Sequence, residues 1–504
     1  MKTILFAFHL CLGMLAAASA AENGRVQVRV DLAHPKLPSG KKHTTYLKVG
    51  LTGLEAPKDA KPNRPPANVA IVLDRSGSMG GEKIQQAREA AVAAIERLGG
   101  DDIVSVVAFD TSVMTVVPAT KLTSREEVIA AIRKIEVGGS TALFAGVSKG
   151  AEELRKFKSP QMVSRIVLLS DGQANVGPQS ADELGRYGLS LGKEGISVTT
   201  IGLGLGYNEQ LMAQLAQHSD GNHAFIKEPS ELAAVFTEEF GDILSVVAQE
   251  LKVKVTCPEG VRPVRVLGRE ASIRGGVVEV MMNQLREGQE KYALIEVEAP
   301  SGTTDQLIGD IEVNYRENND TTPRLIAARS TASRVESDAE VEKSAITPIL
   351  VEVAKQIGVE RQMIAVKLSD EGKVKEAEKI FLDNARTLRE QGQRWNAPDL
   401  YIQGNANFTL NDGNNARGTT WQTYRNAAQT MANTFITQNG VTGSNSISNT
   451  TMLNNGQAIL VPGVSGNVIN LPTPRAGDPL RLVVPQGSTL TVPGTIKITP
   501  PASK

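Results

Sequence analysis

Cysteine is nearly absent from this chain, which has two cysteines among 504 residues. Cys11 lies in an apolar leader, so Cys257 has no partner for an intramolecular disulfide. Aromatic residues make up only 4% of the sequence, which argues against a surface that stacks bases or sugars. The formal net charge is −1, so the overall charge favours neither nucleic acid nor an anionic membrane. Beyond the leader, no stretch reaches the roughly 20 apolar residues of a membrane span.

Residues 1–20 have the composition of a secretory signal peptide. Lys2 is followed by an apolar run from Ile4 to Ala17, and the small residues at 18–20 supply a cleavage site. We therefore expect an exported protein that is periplasmic, on the cell surface or secreted. An exported chain with one cysteine in its mature part is typical of a bacterial envelope or secreted protein, not of a disulfide-rich animal ectodomain.

A carboxylate and two hydroxyls follow the first strongly apolar run of the mature chain. The run Val69–Leu73 predicts a short buried strand, which ends on Asp74. Ser76 and Ser78 come next at alternate positions, before two glycines and a helical pattern. These side chains offer hard oxygen ligands, which suit Mg²⁺ better than a soft metal.

Two segments further along the chain add oxygen ligands of the same kind. Residues 138–141 read GGST and contribute the hydroxyl of Thr141. Residues 168–172 read LLSDG and end a second apolar strand on Asp171. Polar residues also cluster in turns for backbone reasons alone, so the order and spacing of all three segments carry the prediction.

The segments DRSGS, GGST and LLSDG, in this order, resemble the metal-ion-dependent adhesion site of von Willebrand factor type A domains. The resemblance implies a non-enzymatic protein-binding domain with a single divalent cation, Mg²⁺ or Mn²⁺. All five ligand positions of that family have a counterpart here, and the implied ligands are Asp74, Ser76, Ser78, Thr141 and Asp171.

Residues 67–248 alternate β-rich runs with helical stretches. This alternation predicts a doubly wound, Rossmann-like α/β sheet, in which ligands lie at the carboxyl ends of the strands. The segments GLGLGYN at 202–208 and SDGN at 219–222 resemble bacterial relatives of two groups. These groups are the inter-alpha-trypsin inhibitor heavy chains and the calcium-activated chloride channel regulators.

Strand patterns flank this domain on both sides. Residues 26–54 hold two alternating runs, and residues 250–330 hold five β-rich runs with turn residues between them, as in an all-β sandwich. Because an isolated two-stranded hairpin is marginal in water, we expect the early strands to join the later set. The α/β domain would then be inserted into a β-sandwich.

The sequence after the sandwich predicts a helical segment and then a tail of different composition. Residues 336–395 have a helical pattern, and 371–388 resemble a single tetratricopeptide-like hairpin, which we expect to dock on the sandwich. Residues 397–504 are rich in Asn, Gly and Thr and hold only six Lys/Arg and three Asp/Glu. Such a region is either a small β module or a poorly ordered tail. We expect β-rich pieces with mobile links, and one candidate helix around 421–435.

The other polar and reactive residues favour structural roles. Asp110 follows a predicted strand and is interpreted as a loop cap, and His218 and His223 as surface or packed histidines. Cys257 has no basic neighbour in the sequence, which favours a buried small hydrophobe over a nucleophile. We expect the side chain of Arg75, within the first motif, to point to solvent.

Two functional classes fit these observations. One is a metal-dependent protein-binding module for adhesion or scaffolding, and the other is a metal-dependent hydrolase that uses the same cation. A hydrolase needs a general base or nucleophile, and we expect no spare His, Lys or Glu near the motifs. We therefore favour the binding module over the enzyme.

The chemistry of the expected partner follows from the charge of the ligand set. Three of the five ligands are neutral hydroxyls, so at most two negative charges face a divalent ion. An open coordination position should then prefer a hard anion. The expected partner is a protein with an exposed Asp or Glu, and not a nucleic acid.

Overall fold

A computed structural model describes residues 24–55, 64–318, 320 and 322–438, together with the residue pairs 19–20, 451–452 and 458–459. The predicted signal peptide up to residue 18 lies outside the described residues, as does most of the predicted tail beyond 438. The first four strands are β1 (Ser19–Ala20), β2 (Val26–Leu32), β3 (Lys36–Pro38) and β4 (His43–Gly53).

The predicted doubly wound α/β domain is confirmed. Its sheet has the order β10-β9-β8-β5-β6-β7 and is parallel except for β7 at one edge. The strands are β5 (Ala67–Asp74), β6 (Ile103–Phe109), β7 (Val113–Lys121), β8 (Val163–Ser170), β9 (Ile196–Leu203) and β10 (His223–Ile226). The helices are α1 (Glu82–Arg97), α2 (Arg125–Arg133), α3 (Leu143–Arg155), α4 (Ala181–Lys193), α5 (Glu209–His218) and α6 (Leu232–Leu244).

β5 is buried along its whole length, and apolar from Val69 to Leu73, because helices cover both faces of the sheet. Val69 and Leu73 belong to the core under α1, α2 and α6. The intervening residues Ala70 and Val72 belong to the core under α3, α4 and α5. β5 is therefore fixed on both faces, and its carboxyl end, at Asp74, has a defined position.

Strands from both sides of the α/β domain share a sheet. β4 pairs with β15 over ten residues, from His43 opposite Ala299 to Thr52 opposite Glu290. The later strands are β11 (Val246–Thr256), β12 (Arg262–Leu267), β13 (Ala271–Arg274), β14 (Val277–Arg286), β15 (Glu290–Ala299), β16 (Gln306–Glu317) and β17 (Arg324–Val335). β17 continues past the predicted boundary at residue 330. The α/β domain is inserted into the resulting β-sandwich.

The sandwich consists of two sheets with one apolar core between them. The sheet that holds the early strands has the order β1-β2-β4-β15-β12, and the other has the order β13-β14-β11-β16-β17-β3. Leu47, Val49 and Leu51 of β4 are fully buried, as are Val253 and Val255 of the facing sheet. The early strands thus contribute to a core that the later strands alone would leave open.

The amino edge of the α/β sheet, opposite Asp74, rests on the sandwich through buried ion pairs. Asp220, just after α5, lies 2.9 Å from Arg269 Nη1 and 2.7 Å from Lys291 Nζ. Burial would raise the pKa of Asp220, but the charges of Lys291 and Arg269 outweigh it and hold this pKa below its usual value. Arg165 of β8 pairs with Glu239 of α6 within the α/β domain and also donates to Gln284 of β14 in the sandwich.

The C-terminal part is helical: the candidate helix around 421–435 is confirmed as part of a helix over 418–437. The predicted β-rich or partly disordered character is wrong for residues 398–416, which form a further helix. The helices are α7 (Asp338–Ser344), α8 (Thr347–Asp370), α9 (Val374–Arg394), α10 (Pro398–Ala416) and α11 (Gly418–Thr437). The last two described pairs form the short strands β18 (Thr451–Met452) and β19 (Ala458–Ile459). No helix within the described ranges is both long and apolar enough to cross a bilayer.

Packing of α10 and α11 overrides the weak helix propensity of their Asn, Gly and Thr residues. A Cβ on Gly404 would lie 2.7 Å from Arg389 Cγ of α9, so glycine permits this close approach. Buried amides then pair between the helices, as where Asn384 Nδ2 donates to Asn407 Oδ1 at 3.0 Å. The Asn, Gly and Thr residues that suggested a tail in the sequence are here the residues through which the helices contact each other.

The end of α11 reaches the junction between the α/β domain and the sandwich. Gln438 accepts from the backbone N–H of Tyr292 at 2.6 Å and donates to its carbonyl at 3.1 Å. Its amide therefore continues the hydrogen-bonding pattern of β15. Arg269 also donates to the carbonyl of Thr437 at 2.5 Å. All three parts of the molecule meet at this junction.

Candidate metal centre

The register of two neighbouring strands brings two carboxylates to one edge of the sheet. β5 and β8 are parallel, with Leu73 opposite Leu169, so Asp74 and Asp171 leave the sheet side by side. Asp74 is fully buried and Asp171 almost so. Both lie at the carboxyl edge, where ligands bind in open α/β sheets.

Asp74 is held by its neighbours on both oxygens. Its Oδ1 accepts from the backbone N–H of Ser76 at 2.8 Å, and its Oδ2 accepts from the hydroxyl of Ser170 at 2.5 Å. Burial raises the pKa of Asp74, and the charge of Asp171 adds to the rise, while the bonds from Ser170 and Ser76 oppose it. The carboxylate is thus rigidly placed, and its negative charge is poorly compensated.

The hydroxyls of the first loop connect this carboxylate to Asp171. Ser76 Oγ lies 3.1 Å from Ser78 Oγ, which in turn donates to Asp171 Oδ1 at 2.7 Å. The Thr141 hydroxyl lies near the Ser78 hydroxyl, and both are next to Gly172. A Cβ built on Gly172 would lie 3.0 Å from Thr141 Oγ1 and 3.6 Å from Ser78 Oγ. The structure therefore brings together all five residues that the sequence singles out.

Two glycines join the loop that carries Thr141 to the loop that carries the serines. Gly138 N–H donates to the Arg75 carbonyl at 2.6 Å, and the Gly139 carbonyl accepts from Gly77 N–H at 2.9 Å. A Cβ on Gly138 would lie 1.8 Å from Asp110 Oδ2, and one on Gly139 would lie 2.3 Å from Thr111 Oγ1. A larger residue at either position would force the Asp110 or Thr111 side chain, or the loop itself, to shift.

Asp110 does more than the loop capping that the sequence suggests. It accepts from Ser112 N–H at 2.7 Å, as a cap does, and also from Gly139 N–H at 3.2 Å. Arg75 Nη2 lies 2.7 Å from its Oδ2, so the expectation that Arg75 points to solvent is wrong. Burial would raise the pKa of Asp110, but these hydrogen bonds and the charge of Arg75 lower it overall.

Lys83 is a charged neighbour that the sequence analysis overlooks. Its ammonium donates to Asp171 Oδ2 and, at 3.3 Å, to the carbonyl of Ser78. A lysine therefore does lie near the motifs, but it is ion-paired with Asp171 and is not available as a base. The available signal was a lysine in the first turn of the helix that follows Gly80-Gly81.

The donor set fits a hard divalent cation. Two carboxylates and three hydroxyls lie close together, and Mg²⁺ prefers such oxygen ligands. Within the described ranges, no group of three or more His, Cys, Asp and Glu residues could hold a metal ion. The candidate site is not such a group, because only two of its five residues are carboxylates and the other three are Ser or Thr.

The histidines and the cysteine lie away from this site. His223 begins β10 at the opposite edge of the sheet and is buried, with Thr200 Oγ1 at 2.9 Å from its Nδ1. His218 contacts Gln214 at 2.9 Å near the end of α5. Burial raises the pKa of Cys257 in the sandwich to about 11, so its thiol stays protonated near neutral pH.

The family model of the von Willebrand factor type A domain matches residues 68–238. In sequence, the chain is 27% identical over 271 residues to the uncharacterized protein sll0103 of Synechocystis, covering 52% of this chain and 64% of that protein. It is 27% identical over 230 residues to YfbK of Escherichia coli, covering 45% and 39%. It is 30% identical over 175 residues to inter-alpha-trypsin inhibitor heavy chain H3 of Rattus norvegicus, covering 33% and 20%.

The chain thus spans less than two thirds of the length of each of these relatives. Solved structures extend the likeness to most of the present chain. A von Willebrand factor type A protein from Catenulispora acidiphila aligns with a TM-score of 0.61 at 14% identity, covering 76% of this chain and 91% of that one. The ArnB paralog VWA2 from Sulfolobus acidocaldarius aligns at 0.56 and 20% identity, covering 81% and 98%. At these identities the likeness is one of fold.

Proposed function

Because this chain contains a von Willebrand factor type A domain, we propose that it is a non-enzymatic, metal-dependent protein-binding module, serving adhesion or scaffolding. Asp74, Ser76, Ser78, Thr141 and Asp171 would hold one Mg²⁺ or Mn²⁺, which supplies an electrophile for an anionic ligand. The partner would be a protein that presents an Asp or Glu side chain. The apolar leader supports export to the periplasm, the cell surface or the exterior.

One observation carries this proposal: the side chains of five residues from three separate segments converge at the carboxyl edge of the sheet. Asp74, Ser78 and Asp171 are already connected there by hydrogen bonds through Ser76. The charge of Asp171 disfavours the ionised form of Asp74, and a divalent cation would remove that penalty.

The competing proposal, a metal-dependent hydrolase, requires a general base within reach of the cation. The nearby charged groups are already engaged. Asp110 accepts from Ser112 and Gly139 and pairs with Arg75, and Lys83 pairs with Asp171. These contacts favour a binding role, since a base must be available to take a proton from water.

The test compares Asp74→Asn with the wild-type protein in an isothermal titration with Mg²⁺. The amide keeps the shape of the side chain but removes one of the two negative charges, so Mg²⁺ binding should be lost. Removing a buried, poorly compensated charge should leave the melting temperature in EDTA unchanged or higher. Asp305→Asn, an exposed aspartate on the sandwich, is the control and should bind Mg²⁺ normally.

A second step tests the partner class. Proteins captured from an envelope extract in Mg²⁺ should be released by EDTA, and Asp74→Asn should capture none of them. Equal Mg²⁺ affinity in Asp74→Asn and the wild type would refute the metal site. Retention of the captured proteins in EDTA would refute a metal-dependent contact with a carboxylate.

A further inference from the structure

Lys83 places a positive charge against a carboxylate of the candidate site. Its ammonium donates to Asp171 Oδ2, while the Ser78 hydroxyl donates to Asp171 Oδ1 at 2.7 Å. The Lys83 side chain is 33% exposed, whereas the Asp171 side chain has no exposure. Lys83 is therefore the solvent-facing half of an ion pair whose other half is buried in the site.

The local secondary structure does not favour this placement. Lys83 lies in the first turn of α1, where the helix dipole is positive and a cation is disfavoured. Its side chain nevertheless points back to the Ser78 carbonyl at 3.3 Å and to Asp171, instead of extending into water. The attraction to Asp171 therefore sets its position.

The ammonium changes the charge balance of the site. Asp74 and Asp171 contribute two negative charges, and Lys83 returns one positive charge. Arg75 and Asp110 form a pair of their own and cancel each other. With a divalent cation bound, this group of residues carries one net positive charge, whereas without Lys83 it would be neutral.

We infer that Lys83 weakens binding of the cation and strengthens binding of the anionic partner by the loaded site. This inference rests on the proposed function, because it concerns the same cation and the same carboxylate ligand. The ammonium repels the cation, which lowers its affinity. Once the cation is bound, the surplus charge attracts the carboxylate, which would otherwise meet a neutral site. Lys83 thus lowers the affinity of the site for the cation and raises the affinity of the cation-loaded site for a carboxylate.

The experiment uses the full chain and Mn²⁺, whose free concentration is measured by electron paramagnetic resonance. Lys83→Met keeps the length of the side chain but removes its charge, and Lys83→Arg keeps the charge. Lys193→Met removes an exposed charge at the end of α4, on the far edge of the domain, and is the matched control. Acetate is then titrated into the Mn²⁺-loaded proteins, with water-proton relaxation as the readout of carboxylate binding.

We expect Lys83→Met to bind Mn²⁺ about tenfold more tightly than the wild type and acetate several-fold more weakly. Lys83→Arg and Lys193→Met should resemble the wild type in both measurements. Unchanged or weaker Mn²⁺ binding in Lys83→Met would overturn the inference and show instead that Lys83 only holds Asp171 in place. Unchanged acetate binding would overturn its second half. If the wild type binds no Mn²⁺ at all, the proposed function itself fails, which is a distinct result.

Discussion

The guanidinium of Arg75 lies 2.7 Å from the carboxylate of Asp110, and this ion pair joins two of the loops around the candidate site. Asp110 also accepts from the backbone of Gly139, so a third loop is attached to the same carboxylate. None of these three residues belongs to the predicted ligand set. Their contacts nevertheless fix the distance between the serine loop and Thr141.

Asp110→Asn should therefore weaken Mg²⁺ binding without touching a ligand. The amide loses the charge-assisted contact with Arg75, and such contacts are worth about 1.5–3 kcal/mol, or roughly tenfold or more in affinity. Isothermal titration measures the effect. The control is Asp101→Asn, whose side chain is 91% exposed and should leave the affinity unchanged. Equal affinity in the two variants would mean that the ion pair does not position Thr141.

Gly138→Ala should damage the site more severely. The new methyl group would lie 1.8 Å from Asp110 Oδ2, so either the Asp110 side chain leaves Arg75 or the loop moves and strains the Gly138 N–H contact with Arg75. We expect loss of measurable Mg²⁺ binding and a stability cost of about 1–3 kcal/mol by urea titration. Gly100→Ala is the matched control, because a Cβ there meets no atom within 4 Å. Normal Mg²⁺ binding by Gly138→Ala would contradict the proposed role of this loop.

Asp220→Asn should loosen the α/β domain from the sandwich. The substitution leaves Arg269 and Lys291 buried without their shared counter-ion, which typically costs about 3–5 kcal/mol. Urea denaturation followed by circular dichroism should show the loss. Asp305→Asn, on an exposed turn, should change the unfolding free energy by less than about 0.5 kcal/mol. A loss in Asp220→Asn no larger than in this control would show that the buried charges are dispensable.

His223 should make the protein acid-sensitive. Burial lowers its pKa to about 3, so between about pH 6.5 and 3 the unfolded chain binds a proton that the folded chain does not. The contribution of His223 is fully present above pH 6.5, and it falls by about 1.4 kcal/mol for each pH unit below that. His223→Gln should show a shallower pH dependence of unfolding over this range. Identical slopes in His223→Gln and the wild type would disprove the assignment.

The sequence predicts most of the candidate site because Asp74, the two serines and Asp171 follow buried strands, whereas Thr141 lies in the loop between α2 and α3. An apolar run that ends on Asp74, and another that ends before Asp171, indicate both the element and its functional end. Because the two strands are parallel neighbours in the sheet, their carboxyl ends lie close together. Metal binding by this set stays a prediction, while the proximity of its side chains is a property of the fold.

The contacts of Lys83, Arg75 and Asp110 could not be predicted in the same way. Each depends on how a loop folds back, and no local pattern specifies that. The helix at 398–416 was missed, and the helix at 418–437 was predicted only over 421–435, for a related reason. Their Asn, Gly and Thr residues have low helix propensity, and only the packing against α9 and the α/β domain makes helices of them.

β5 runs from the junction with the sandwich straight to Asp74, at the far end of the α/β domain. It pairs in parallel with β6 over Asn68–Asp74 and with β8 over Ala67–Leu73. Tension between a partner held at the site and the sandwich would act along this strand. The backbone hydrogen bonds on both of its sides would then be loaded in shear and share the force, because none could open before the others. The candidate site is carried by a central strand that is paired on both sides and so is well placed to withstand pulling.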